Sequence, residues 1–195
     1  TSIVCTEVIW VALGYCLFLK GRLSKKAVLA IIVTFAGSVA IACADSSSGA
    51  VHVYGDILAL VSAVAVAVYT LFGRIVRNSV STSVYTYVVY VSCAAVLLAT
   101  CMVQNYPLFG YGMSAVVVGL LLSVFSTILG HSIFSWCLKY FSPAFVSASK
   151  LCEPVVASII AVFLFSELPS LLQVFGGAMI IGGVYYYSRI EKAGT

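Results

Sequence analysis

Seven runs of apolar residues, separated by short polar breaks, order this chain. A helix crossing a hydrocarbon core of about 30 Å at about 1.5 Å per residue needs roughly 20 mostly apolar residues. Such runs lie near residues 3–19, 27–44, 57–73, 84–103, 113–136, 143–166 and 170–188. The connections are KGRLSKK, DSSSGAVHVYGD, RIVRNSVSTS, QNYPLFGYG, KYFSPA and SELPS, rich in the Gly, Pro, Ser and Asn that interrupt helices. Spanning strands would show ten-residue segments of strict alternation, whereas these runs are longer and continuously apolar. The pattern predicts an all-α membrane protein, a polytopic helical bundle of seven transmembrane helices, with no linker or second domain between them.

Composition fixes the solvent. Of 195 residues, 63% are hydrophobic and 8% charged, and sixteen charged side chains cannot clothe a water-soluble domain of that size. Lipid is therefore the expected surroundings. The seven cysteines fall mostly inside apolar runs without ligand-like spacing and read as small buried hydrophobes. The chain opens at Thr1 without Met, and its first apolar run lacks the basic flank and cleavage site of a signal peptide. It reads as cut from a longer protein.

Charge placement adds an orientation. Lys20, Arg22, Lys25 and Lys26 fall in the first gap, Arg74 and Arg77 in the third, Lys139 in the fifth, and Arg189 and Lys192 in the tail. The second, fourth and sixth gaps hold no Lys or Arg, while the second and sixth carry Asp45, Asp56 and Glu167. The positive-inside rule then places the first, third and fifth loops and the C-terminus in the cytoplasm, at the cell membrane. The small net charge of +4, carried in short clusters, makes nucleic acid an unexpected partner.

Sliding the sequence on itself by 146 residues lays CTEVIWVALGYCLFLKGRLS beside LCEPVVASIIAVFLFSELPS. Glu7 then meets Glu153, Ser24 meets Ser170, Val28 meets Val174 and Gly37 meets Gly183. The shared punctuation is an acid early in one span, a polar turn, and a glycine late in the next. The copies begin in the first and sixth spans, five crossings apart, so they enter the membrane from opposite sides. Inverted repeats of this kind are an architecture of secondary transporters, with the substrate site near the midplane.

The stretch YGDILALVSAVAVAVYTLFGRIV, followed by GHSIFSWCLKYFSPAFVSASKLCEPVVASIIAVFLFSELPSLLQVFGGAMIIGGV, resembles the second half of an EamA-type permease of the drug/metabolite transporter superfamily. In that resemblance Gly55 and Asp56 match the small-acidic start of the sixth helix and Trp136 the aromatic near the end of the eighth. Glu153 with Pro154 matches the Glu-Pro pair of the ninth, and Glu167 the acid that ends it. The resemblance implies a five-plus-five inverted-repeat transporter fold, of which this chain is the fourth to tenth helices. Residues 1–44 are then the end of the first repeat, 45–56 an extracytoplasmic loop, 57–189 the second repeat, and 190–195 a cytoplasmic tail. One departure is visible: Gly21 is followed by Arg22 where the first repeat usually has Gly-Glu.

Ionisable side chains at membrane depth cost about 3 kcal/mol or more unless they face protein or water, so each is a functional candidate. Lys150 and Glu153 stand three residues apart on one helical face and are placed to pair. Pro154 lacks a donor, which frees the Lys150 carbonyl. The pair reads either as a self-neutralised bridge or as cavity lining. Glu7 is either a cavity acid or an interfacial one. His131 offers a proton relay or a packing contact, and Trp10 and Trp136 a stacking surface or packing. Gly176, Gly177, Gly182 and Gly183 read as a close-packing face. The terminal tyrosines of the spans, among them Tyr85, Tyr90 and Tyr187, read as interface anchors.

The leading expectation is a secondary transporter that moves a small organic metabolite or drug-like solute by alternating access. Its substrate cavity is expected to be lined by Glu7, Trp10, His131, Trp136, Lys150 and Glu153. Its partners are a small-molecule substrate, the lipid bilayer, protons or another coupling ion, and a second copy in a homodimer. With no nucleotide loop, catalytic triad, haem motif or metal cluster, neither enzyme activity nor a cofactor is expected. A seven-helix receptor is the rival, opposed by the absence of a retinal lysine in the last span and of an acidic-Arg-aromatic triplet after the third. A small-solute channel is the other alternative and would call for a continuous polar stripe.

Overall fold

The computed structural model describes residues 4–44, 53–166 and 168–194; Asp45, His52 and Glu167 lie outside the described residues. Among the described residues the regular structure is helical, with no strand. The helices are α1 (Glu7–Leu17), α2 (Lys25–Ala44), α3 (Val53–Val76), α4 (Thr82–Val103), α5 (Met113–Leu121), α6 (Ser132–Cys137), α7 (Pro143–Lys150), α8 (Glu153–Phe165) and α9 (Leu171–Gly194). A π-helical stretch, Leu122–His131, joins α5 to α6. Among the described residues six segments are long and apolar enough to cross a membrane: four in single helices, Met113–Cys137 across α5 and α6, and Pro143–Leu164 across α7 and α8. The expected first span is a shorter apolar helix of 11 residues, α1, preceded by a 3-10 turn at Val4–Thr6.

The chain forms two compact units, residues 1–72 with 141–195, and residues 73–140. In the first, Val8 of α1, Ala30 of α2, Ala144 and Ala148 of α7 and Ile180 of α9 make a buried core. Small residues let α2 and α9 pack closely. A β-carbon on Gly37 would meet the Gly176 carbonyl oxygen at 2.6 Å and Ile180 Cγ1 at 2.9 Å, and one on Gly183 would strike Thr34 Oγ1 and meet the Ala30 carbonyl oxygen at 3.1 Å. Rising numbers on α2 meet falling numbers on α9, so the two run antiparallel. Of the expected glycine face, Gly176 and Gly183 pack on α2, whereas a β-carbon added at Gly177 would lie 3.7 Å from Val155 and one at Gly182 would meet nothing within 4 Å.

Helix starts follow local chemistry. Ser24 Oγ accepts from Ala27 N–H at 3.1 Å to begin α2. Ser170 Oγ accepts from Gln173 N–H at 3.2 Å while Gln173 Oε1 accepts from Ser170 N–H at 2.6 Å, a reciprocal capping box for α9. Ser142, before Pro143 of α7, is held by Glu191, whose carboxylate accepts from its N–H at 2.6 Å and its hydroxyl at 3.0 Å.

The second unit is tied together by two arginines. Arg77, 2% exposed, donates to the Ser135 carbonyl at 3.0 Å, to the Val80 carbonyl, and to Thr82 Oγ1 at 2.6 Å. Arg74 donates to the carbonyls of Leu138 at 2.6 Å and Lys139 at 2.9 Å. These cations lie where the carbonyl-rich C-terminus of α6 favours positive charge. Tyr90, expected as an interface anchor, instead donates to the Thr127 carbonyl in the π-helical stretch at 2.8 Å and lies 3.0 Å from Ser132 Oγ. Tyr187 likewise turns inward, 1% exposed, with its ring edge-on to Phe145 at 5.4 Å.

Candidate functional site

Between Lys150 and Glu153 the sixth apolar run stops being an α-helix. Leu151 N–H bonds to the Ala148 carbonyl and Cys152 N–H to the Ser149 carbonyl, both three residues back and both at 3.1 Å, so the chain makes a 3-10 turn there. Proline explains it: Pro154 has no N–H to give the Lys150 carbonyl, and its ring crowds the preceding turn. The interruption ends α7 and starts α8 inside one membrane-length segment. Residues three apart in a 3-10 turn eclipse one another, which keeps Lys150 and Glu153 on one side.

That side faces a cavity of about 580 Å³ within the first unit. Glu7, Lys150 and Glu153 all line it, with Ser147 and Ser158 adding hydroxyls and Leu151 part of its apolar wall. Lys150 does not pair with Glu153 as its spacing suggests. Its Nζ lies 2.8 Å from Glu7 Oε1, at side-chain exposures of 19% and 12%. The same oxygen accepts from Ser147 Oγ at 3.1 Å, and Thr70 Oγ1 lies 3.5 Å from it. The Lys150 ammonium and the Ser147 hydroxyl gathered on one carboxylate oxygen make Glu7 the better acceptor, whereas Glu153 is exposed and has no hydrogen-bond or ion-pair partner for its carboxylate among the described residues.

The six residues expected at the site thus divide. Glu7, Lys150 and Glu153 come together. Trp10 is in the same unit but 39% exposed and does not line this cavity. His131 and Trp136 belong to the second unit, where His131 closes the π-helical stretch and Trp136 packs on Tyr140 with ring centres 4.8 Å apart. Thr70 and Ser147 were not singled out by sequence, because a hydroxyl in an apolar helix ordinarily bonds its own backbone. Thr70 does that too, donating to the Val66 carbonyl at 2.9 Å. Ser147 carried one legible signal, its place one turn before Lys150.

Comparison with known proteins extends the picture. An uncharacterized transporter of Archaeoglobus fulgidus is 28% identical over 188 residues, covering 93% of this chain and 64% of the relative. An uncharacterized transporter of Clostridium kluyveri is 24% identical over 195 residues, covering 97% and 63%. The chain therefore spans just under two thirds of the length of these relatives. A solved crystal structure shares the fold at TM-score 0.81 and 19% identity, covering 98% of this chain and 67% of that one. The family model of EamA-like transporters matches residues 53–189, from the start of α3 to within α9. A match over that stretch, on a chain of membrane-length apolar helices, identifies a multi-pass membrane protein that belongs to the EamA-like transporter family.

Proposed function

We propose that the chain is the larger part of a secondary transporter that moves a small organic solute across the cell membrane by alternating access, driven by protons or another coupling ion. The observation that carries this reading is the helix interruption at Leu151 and Cys152, which sets Lys150 and Glu153 on the wall of a 580 Å³ cavity in a membrane-length segment. Discontinuous helices that bring charged groups and helix ends to a midplane cavity are how secondary transporters build substrate sites. In this reading residues 1–44 close a first repeat, 57–189 form a second inverted one, and the C-terminus lies in the cytoplasm.

The 146-residue offset finds support in paired details. Glu7 begins α1 and Glu153 begins α8, each after a 3-10 turn. Ser24 and Ser170 cap α2 and α9 through donors three residues on. The offset turns the Gly37 contacts with Gly176 and Ile180 into Gly183 contacts with Ala30 and Thr34, and both sets occur. Antiparallel mates with exchanged contacts are what a two-fold axis in the membrane plane produces.

Comparing small-molecule pools inside and outside cells that express the protein or its Glu153→Gln variant tests the function. At matched membrane levels, at least one organic solute should redistribute with the native protein and not with the variant. Identical pools with and without the native protein would contradict a transport role.

A further inference from the structure

We propose that the cavity selects an organic monocation, seating its positive head on the Glu153 carboxylate and its apolar body against the helix wall. The inference rests on the transporter reading for its biological meaning and on charge arithmetic for its content. Three charged side chains of the described residues line the cavity, and two of them cancel: Lys150 is bound to Glu7 at 2.8 Å. That Glu7 oxygen also accepts from the Ser147 hydroxyl at 3.1 Å, with Thr70 Oγ1 3.5 Å away. Glu153 is left exposed, with its charge uncompensated by any described residue.

The surroundings favour keeping that site negative and filling it with a cation. Glu153 stands in the first turn of α8, where the helix dipole welcomes a carboxylate. An anionic ligand would have to pull Lys150 off Glu7 or lie against Glu153, and a neutral one would bury Glu153 uncompensated; a cation removes both costs. The rest of the wall is largely aliphatic, with Val8, Ile41, Leu151, Ala157 and Ala161 offering an apolar surface to the ligand body. Under the 146-residue offset Lys150 corresponds to Val4, so two glutamates stand against one lysine, and the single unmatched charge follows from that asymmetry.

The test uses the full chain in lipid nanodiscs and three ligands of one shape: benzylamine, benzyl alcohol and benzoate, positive, neutral and negative at pH 7.5. Binding is measured by calorimetry against empty nanodiscs. Benzylamine should bind at least about tenfold tighter than either of the others, the range expected when a charge-assisted hydrogen bond is gained. Glu153→Gln should bring benzylamine down to the level of benzyl alcohol. Lys150→Met, which leaves two carboxylates, should strengthen benzylamine binding beyond the native protein, and Lys150→Met with Glu153→Gln should return it to near the native value. A preference that survives Glu153→Gln, or equal or tighter binding of benzoate or benzyl alcohol to the native chain, overturns the cation assignment. Benzoate or benzyl alcohol held in the cavity would leave the transporter reading standing, whereas binding of none of the three would count against both. The native charge series requires no variant, so misfolding of a mutant cannot mask the outcome.

Discussion

Glu7 is a node on which three other side chains converge. Its Oε1 accepts from Lys150 and Ser147 and has Thr70 Oγ1 3.5 Å away, so Glu7 and Lys150 should be energetically coupled. A double-mutant cycle with Glu7→Gln and Lys150→Met, read by thermal unfolding in detergent, should give a coupling energy of about 1–3 kcal/mol. A cycle between Lys150 and Glu153 should give much less, because Lys150 is committed elsewhere. The sequence exposes Lys150 and Glu153 plainly, as charges within an apolar run. It does not reveal the acid that Lys150 binds, since the spacing of three points to Glu153 and the real contact joins residues 143 positions apart. Arg77 misleads in a similar way: it reads as a loop cation on a flank, and it is buried among carbonyls.

Helices were legible where apolar content and length decide. α2 and α9 match their apolar runs closely at the starts, and α9 runs a few residues further, to Gly194. Interruptions inside a run were legible only through proline: Pro154 signals the break before α8, while nothing in LSVFSTILGH marks the π-helical stretch, because a π turn changes hydrogen bonding and leaves hydropathy unaltered. The α2–α9 seam depends on two facing glycines. Gly37→Val should destabilise the protein by about 1–3 kcal/mol in a thermal unfolding assay, since the added carbon meets backbone and the helices must part. Gly182→Ala, facing open space, should be near neutral. Arg77→Lys should also cost about 1–3 kcal/mol, because one ammonium cannot reach the Ser135 and Val80 carbonyls and Thr82 together as the planar guanidinium does.

Membership of the EamA-like transporter family, membrane-length helices and a charged cavity at a broken helix together make two-sided access to that cavity the central claim. Orientation comes first: a cysteine placed at Leu108 should react with an impermeant maleimide added outside, and one at Ser79 should not, as the distribution of Lys and Arg requires. Lysine and arginine positions carry that expectation in the sequence alone, whereas the cavity needed the fold, because its wall draws on α1, α2, α7, α8 and α9. The most direct measurement places one cysteine on the cavity wall as Ser158→Cys, after the seven free native cysteines are replaced by alanine, and follows its labelling in right-side-out and inside-out vesicles. A transporter that alternates exposes this position to each side in turn, so the impermeant reagent should label it in both preparations. Labelling from one face alone, or from neither, would contradict alternating access.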